Sequence, residues 1–269
     1  MLIALTSAKG SPGVTTGGLA LALSWPRRVI LAELDPAGGE VLAGYGRAQL
    51  PVGGLGELAF AARRGGLGQQ LFAHLVRLDG AGRALLLPGL VEPGAARGID
   101  WTRLAAALAG LDEQATDVLA DCGRLRAERF PIPVLQRAAA VVLVTGSTLR
   151  AVHAAKLSIA ELRTLLPETP AGGGALCALV VGPGEPYTAG EVGDALGMPV
   201  VGALPRDRKA APVLSDGAPA GRLFAQSALL RAARTAAADL AEFAAARHDR
   251  LAATPQPTSA STAGSSRGR

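Results

Sequence analysis

Between an apolar run at Leu2–Thr6 and a helix-like segment that begins at Val14 lies Ser7-Ala8-Lys9-Gly10-Ser11-Pro12-Gly13-Val14-Thr15-Thr16. A glycine-containing loop that leaves a strand and opens a helix is where a phosphate-binding loop belongs. Gly10 and Gly13 let backbone N–H groups turn inward, and the helix N-terminus adds positive potential. Thr15 stands where such a loop places the hydroxyl that holds Mg²⁺, and Thr16 is within reach of an α-phosphate. Without a ligand the same residues make an ordinary strand-to-helix turn. Two acidic positions add to the pattern. Leu31-Ala32-Glu33-Leu34-Asp35-Pro36 closes a second β-rich run, and Val118-Leu119-Ala120-Asp121-Cys122-Gly123 is an apolar run that ends in an acid. A carboxylate at Asp121 can hold Mg²⁺ through water, while Gly123 permits a backbone approach to a γ-phosphate. Taken singly, each acid would serve equally well as a helix cap or a solvated turn. Together with the loop they form three pieces at strand carboxyl ends, where open α/β sheets bind their ligands.

In this order the pieces resemble the ParA/MinD family of deviant P-loop ATPases, whose loop reads Lys-Gly-Gly-x-Gly-Lys-Thr-Thr. The resemblance implies that Lys9 reaches the nucleotide of the opposite subunit in a dimer sandwiching ATP. It also implies that Gly10, Ser11, Gly13, Val14, Thr15, Thr16 and Gly123 surround the phosphates, with Thr15 and Asp121 serving Mg²⁺. Asp35 takes the position that orients the attacking water, and Glu33 replaces the first aspartate of the Asp-x-Asp-Pro switch segment. Downstream, Ala195–Asp207 resembles the family's Leu-Gly-x-Pro to Pro-x-Asp stretch, which places Pro205 and Asp207 beside the adenine. The chain departs from the pattern at three points. Ser11 replaces a glycine, Val181-Gly182-Pro183 stands where an Asn-Arg pair reads the base, and Val14 replaces the phosphate-contacting lysine. An uncharged side chain cannot neutralise the β- and γ-phosphates, so ATP binding with weak or absent hydrolysis is the expectation.

The resemblance covers about residues 1–250 and implies a nucleotide-dependent switch that dimerises around ATP and positions a larger assembly. The degenerate loop most resembles the CpaE/TadZ branch, so a pilus or secretion partner is favoured over a partitioning one. Two other readings stay open: an active partitioning ATPase that binds DNA non-specifically, and a scaffold of the same fold that binds no nucleotide.

Several elements must position these residues. Continuous apolar runs at Leu2–Thr6, Val29–Glu33, Ala84–Leu87, Asp117–Ala120, Ala140–Thr145, Leu176–Val181 and Val200–Ala203 read as strands buried on both faces of a parallel sheet. Helical spacing appears at Val14–Ser24, Trp101–Ala109, Leu149–Leu166 and Glu191–Leu196, and a long Ala-rich helix is expected from Gly221 to His248. The alternation predicts a single doubly wound α/β domain over residues 1–251 with a mostly parallel sheet. The resemblance narrows this to the SIMIBI-type P-loop topology. Residues 252–269, rich in Ser, Thr and Pro, read as a disordered tail.

Composition removes other function classes. Of 269 residues 49% are apolar and 18% charged, which excludes wholesale disorder. Aromatics make up 3%, so the stacking platforms of single-strand nucleic-acid binders are missing. The 27 basic and 22 acidic groups are interspersed, and without Arg267 and Arg269 the surplus falls to three, so weak or no DNA binding is expected. Arg206, Arg208, Lys209, Arg222, Arg231 and Arg234 are the one candidate basic face. Cys122 and Cys177 stand far apart, and the chain opens without the basic start and long apolar stretch of a signal peptide, so a cytoplasmic protein is expected. The last helix is too poor in Phe, Trp and Leu to bind a membrane by itself. Gly54-Leu55-Gly56-Glu57-Leu58-Ala59 matches a dinucleotide fingerprint, but no strand precedes it. His74, His153 and His248 are isolated from other ligand-type residues, and no Gly-x-Ser-x-Gly elbow occurs.

Overall fold

The computed structural model describes residues 1–9, 13–49, 53–62, 67–166 and 175–253. The elements in order are β1 (Leu2–Ser7), α1 (Val14–Leu23), β2 (Arg28–Glu33), α2 (Leu55–Ala62), α3 (Leu67–Leu71), β3 (Val76–Arg77), β4 (Ala84–Leu87), α4 (Trp101–Ala109), β5 (Thr116–Arg124), α5 (Ile132–Arg137), β6 (Ala140–Gly146), α6 (Leu149–Leu165), β7 (Leu176–Val181), α7 (Ala189–Leu196), β8 (Val200–Leu204), α8 (Ala211–Ser215) and α9 (Ala228–Ala253). The strands form one sheet in the order β3-β4-β2-β5-β1-β6-β7-β8. Every pairing is parallel except β3 against β4. This is the expected doubly wound α/β sheet, with the order reversing around β1 and β5.

The continuous apolar runs are explained by burial on both faces. Leu2 and Ala4 point into one core with Ile30, Val118 and Val141, beneath α2 to α7. Ile3 and Leu5 point into the other with Leu31, Leu119 and Val142, beneath α1, α8 and α9. Side chains alternate across a strand, so a strand covered on both sides must be apolar at every position. At the amino end of the sheet the buried carboxylate of Asp117 is satisfied by Trp25 Nε1 at 2.8 Å and by Arg27 at 2.8 and 3.0 Å. That acid is structural and lies at the end of β5 opposite Asp121.

Three details differ from the sequence reading. β5 runs past Ala120 to Arg124, because Leu125 N–H still bonds Ser7 carbonyl at 2.9 Å, so Asp121 lies within the strand instead of closing it. The last helix begins at Ala228, seven residues later than expected. Ser227 caps it, with its Oγ accepting from Leu230 N–H at 3.2 Å and its carbonyl from Arg231 N–H. The edge strand β3 has no counterpart among the expected runs. Among the described residues no helix is long and apolar enough to cross a membrane. Residues 254–269, most of the expected tail, lie outside the described residues.

Candidate functional site

Helix α1 starts at Val14 after Gly13, which adopts a left-handed conformation (φ 88°). Among the described residues neither a side-chain cap nor a first-turn acid occupies this N-terminus, so its positive dipole end stays open to an anion. Gly10 and Ser11 lie outside the described residues. Thr15 Oγ1 donates to Asp121 Oδ2 at 2.7 Å, and Gly123 N–H donates to Asp121 Oδ1 at 3.0 Å. With its proton committed to Asp121, the Thr15 hydroxyl turns lone pairs outward, the orientation a Mg²⁺ ligand needs. The fold thus brings together two residues 106 positions apart.

Asp121 is buried, and burial pushes its carboxyl up to about 7, against the hydrogen bonds from Thr15 and Gly123. The charges of Glu33 and Asp35 add to the rise. Asp35 accepts from Ala37 N–H at 2.8 Å and lies against Gly123, where a Cβ would fall 2.0 Å from Asp35 Oδ2. Gly123 holds φ 66°, and Thr6 Oγ1 donates to its carbonyl at 3.0 Å. The absent side chain at 123 thus makes room for the Asp35 carboxylate, a different use from the expected approach to a phosphate. Any larger residue there would displace Asp35.

Glu33 is a structural acid. Its carboxylate accepts from the N–H groups of Glu40 and Val41 at 2.6 and 2.9 Å and from Gly89 at 3.1 Å. Burial pushes its carboxyl up in spite of these bonds. It therefore pins the loop after β2 to the loop after β4, a tie that Gly39 N–H reinforces by donating to Leu90 carbonyl at 3.0 Å.

A cavity of ≈ 890 Å³ opens at the carboxyl ends of β1, β2, β4 and β5, and Gly13, Val14, Thr15 and Thr16 line it together with Asp35 and Gly123. Its size falls in the ~300–1,000 Å³ range of small-molecule pockets. Ser7 lines the same cavity, and its buried Oγ has no hydrogen-bond partner among the described residues. An oxygen-rich ligand would supply one, so this donor fits a phosphate. Among the described residues no group of three or more His, Cys, Asp or Glu side chains could hold a metal by itself. Mg²⁺ does not require one, since it is commonly held by one or two carboxylates together with phosphate oxygens and water.

Val14 is buried in the core beneath α1 while bordering the cavity, and it brings no charge there. Lys9 is exposed at the start of the loop. Pro205 and Asp207, the residues expected beside a base, are not among those that line this cavity. Asp207 accepts from the N–H groups of Lys209 and Ala210 at 3.0 Å, a turn-capping task. Gly182 packs under Arg206, whose Nε bonds Glu185 Oε2 at 3.2 Å. Ser147 Oγ donates to the carbonyls of Gly182 and Glu185, pinning the turn that replaces Asn-Arg.

The other candidates stay apart from this site. Arg206 is paired with Glu185, while Arg231 and Arg234 donate to the main-chain carbonyls of Gln226 and Ala225, so the six basic residues do not form one uncommitted face. Both cysteines are buried and their thiols pushed upward by burial, which leaves them unreactive. Sequence reasoning missed Ser7, the capping task of Glu33, and Arg124, which also lines the cavity. Arg124 had a legible signal: it follows the Asp121-Cys122-Gly123 segment directly.

No protein-family model matches the chain, and no curated protein matches it by sequence. Solved structures match its fold. The septum site-determining protein MinD of Pyrococcus horikoshii, complexed with Mg-ADP, superposes with a TM-score of 0.69 at 18% identity over 91% of this chain and 97% of its own. A ParA family ATPase from Chlorobium tepidum gives 0.69 at 15% identity over 89% and 98%. A complex of a singly substituted Cyanothece McdA with ATP gives 0.57 at 14% identity over 94% and 97%. These likenesses establish the P-loop fold.

Proposed function

We propose that this protein is a nucleotide-dependent switch that binds ATP with Mg²⁺, dimerises around it, turns it over slowly, and so positions a larger assembly in the cytoplasm. The observation that carries this reading is the Thr15–Asp121 hydrogen bond at the mouth of a cavity beneath an uncapped helix N-terminus. An ordinary strand-to-helix turn has no need of a buried carboxylate that accepts from its first-turn hydroxyl. Solved neighbours of the same fold contain Mg-ADP or ATP, which supports the same ligand class.

Bound Mg²⁺ would neutralise phosphate charge and be held by Thr15, with Asp121 fixing the Thr15 hydroxyl. The α1 N-terminus and Ser7 would orient the phosphates. Asp35 would sense what occupies the cavity, a role supported by its position between its own turn and Gly123 and by the tie of its loop through Glu33 to the β4 loop. Lys9 would reach the partner's nucleotide. Gly10, Ser11 and Gly13 would complete the loop, and the Gly182 turn pinned by Ser147 supports relaxed base selectivity.

The degenerate loop favours a pilus or secretion partner over a partitioning one. With a folded body close to neutral, no aromatic platform and paired arginines on α9, DNA binding should be weak and lost at moderate salt. Light scattering tests the switch directly. ATP with Mg²⁺ should double the mass, and Lys9→Ala should reduce the dimer fraction. An unchanged mass with and without nucleotide would contradict the proposal.

A further inference from the structure

The cavity presents an electrostatic problem that the loop does not solve. Glu33, Asp35 and Glu40 line it, Asp121 stands behind Thr15, and position 14 contributes no charge. A triphosphate entering such a site meets several carboxylates. Bound Mg²⁺ would offset part of this repulsion and the helix dipole another part.

Among the described lining residues one cation is present, Arg124. It is the last residue of β5, directly after Gly123, and in the parallel ladder it stands opposite Ser7 of β1. The two residues therefore frame the carboxyl ends of the two central strands, on which α1 and its N-terminus are set. Arg124 is exposed, and among the described residues no carboxylate lies within ion-pair distance of it. Beside it, Ser7 Oγ is buried in the same cavity without a partner among the described residues. An uncommitted guanidinium and an unsatisfied hydroxyl at one rim are the groups a phosphate oxygen would engage. The guanidinium offers several N–H donors in a planar fork suited to phosphate.

We propose that Arg124 is the phosphate-binding cation of this site, supplying from the end of β5 the charge that the loop lacks at Val14, with Ser7 Oγ as its neutral companion. The inference rests on the nucleotide reading above and deepens it. Because the charge comes from a neighbouring strand and not from the first turn of α1, it can meet a bound phosphate without the geometry a loop lysine imposes. This accounts for a chain that retains a binding loop while losing its lysine.

Titration calorimetry with Mg-ATP on the full chain tests this, using wild type, Arg124→Ala, Arg124→Lys and the double variant Val14→Lys/Arg124→Ala, each verified as folded by circular dichroism. A charge-assisted hydrogen bond lost from the site predicts that Arg124→Ala weakens binding about tenfold to a hundredfold. Arg124→Lys should fall between, and the double variant should recover most of the loss. A wild type that binds no Mg-ATP overturns the nucleotide reading itself. A wild type that binds, with Arg124→Ala equal to it, overturns the role of Arg124 and leaves the nucleotide reading standing. A double variant as weak as Arg124→Ala overturns the claim that Arg124 stands in for the loop lysine.

Discussion

Replacing Asp121 by asparagine is expected to weaken Mg²⁺-dependent ATP binding while stabilising the ligand-free protein above neutral pH. The binding loss follows from proton placement. Asp121 now accepts from Thr15, so the Thr15 lone pairs are available to a metal. With Gly123 N–H still bonded to the carbonyl oxygen, an asparagine would present its amide N–H₂ to Thr15 and turn the Thr15 proton toward the cation. Changes to a group that orients a metal ligand typically cost about 10–100-fold in affinity. The gain in stability follows from the raised carboxyl. In the unfolded chain it ionises near 3.8, whereas in the folded protein it keeps its proton to about 7. The folded state therefore holds more protons across that window, and wild-type stability declines as pH rises through it, levelling off above. Asparagine has no such slope, so the variant should gain about 2–4 kcal/mol on wild type between pH 5 and pH 8. Urea unfolding of both proteins at the two pH values measures this. Parallel changes in the two proteins would show that Asp121 carries no strain.

Restoring charge at position 14 should have the largest effect on chemistry. Wild type is expected to hydrolyse ATP barely above background, because nothing at the first turn of α1 meets the charge that develops on the departing γ-phosphate. Val14→Lys should raise turnover by about 100–1,000-fold, the range over which single transition-state donors act. Val14 borders the cavity, so an ammonium there can turn outward while its stem keeps the packing of the valine. Adding Asp35→Ala should remove the gain, since Asp35 is the carboxylate held against Gly123 at the cavity wall. Phosphate release under single-turnover and steady-state conditions gives both rates. A fast wild type that Asp35→Ala silences would show that the loop lysine is dispensable.

What the sequence made legible were features carried by local pattern. Seven strands appear as continuous apolar runs, six of them buried on two faces and the edge strand β8 only partly buried, and Thr15, Asp35 and Asp121 are marked by their places in the pattern alone. β3 is invisible in the sequence because Val76–Arg77 is two residues long and exists only through its pairing with β4. The start of α9 is misplaced because its boundary is set by side-chain contacts that composition does not show: Ser227 Oγ accepts from Leu230 N–H, and the distant Asp207 accepts from Leu229 N–H at 3.5 Å. At the site, the missed contributions all depend on distant partners. The second oxygen of Glu33 acts on Gly89, 56 residues away, and Arg124 matters only because β5 is laid beside β1. The motif around Asp207 marks it for a base, and it does not encode the N–H groups of Lys209, Ala210 and Leu229 from which its carboxylate accepts. In the same way, Gly123 is explained by the neighbour that fills its side-chain space, Asp35.

The central claim is that the loop at Gly13–Thr16 is a working Mg-ATP site in spite of Val14, and calorimetric titration of wild type with ATP, with and without Mg²⁺, tests it most directly. The account predicts saturable binding at one nucleotide per chain that is much weaker when Mg²⁺ is chelated, since the cavity's carboxylates then face the triphosphate without a divalent cation. No heat of binding with Mg²⁺ present, or an affinity indifferent to Mg²⁺, would contradict it.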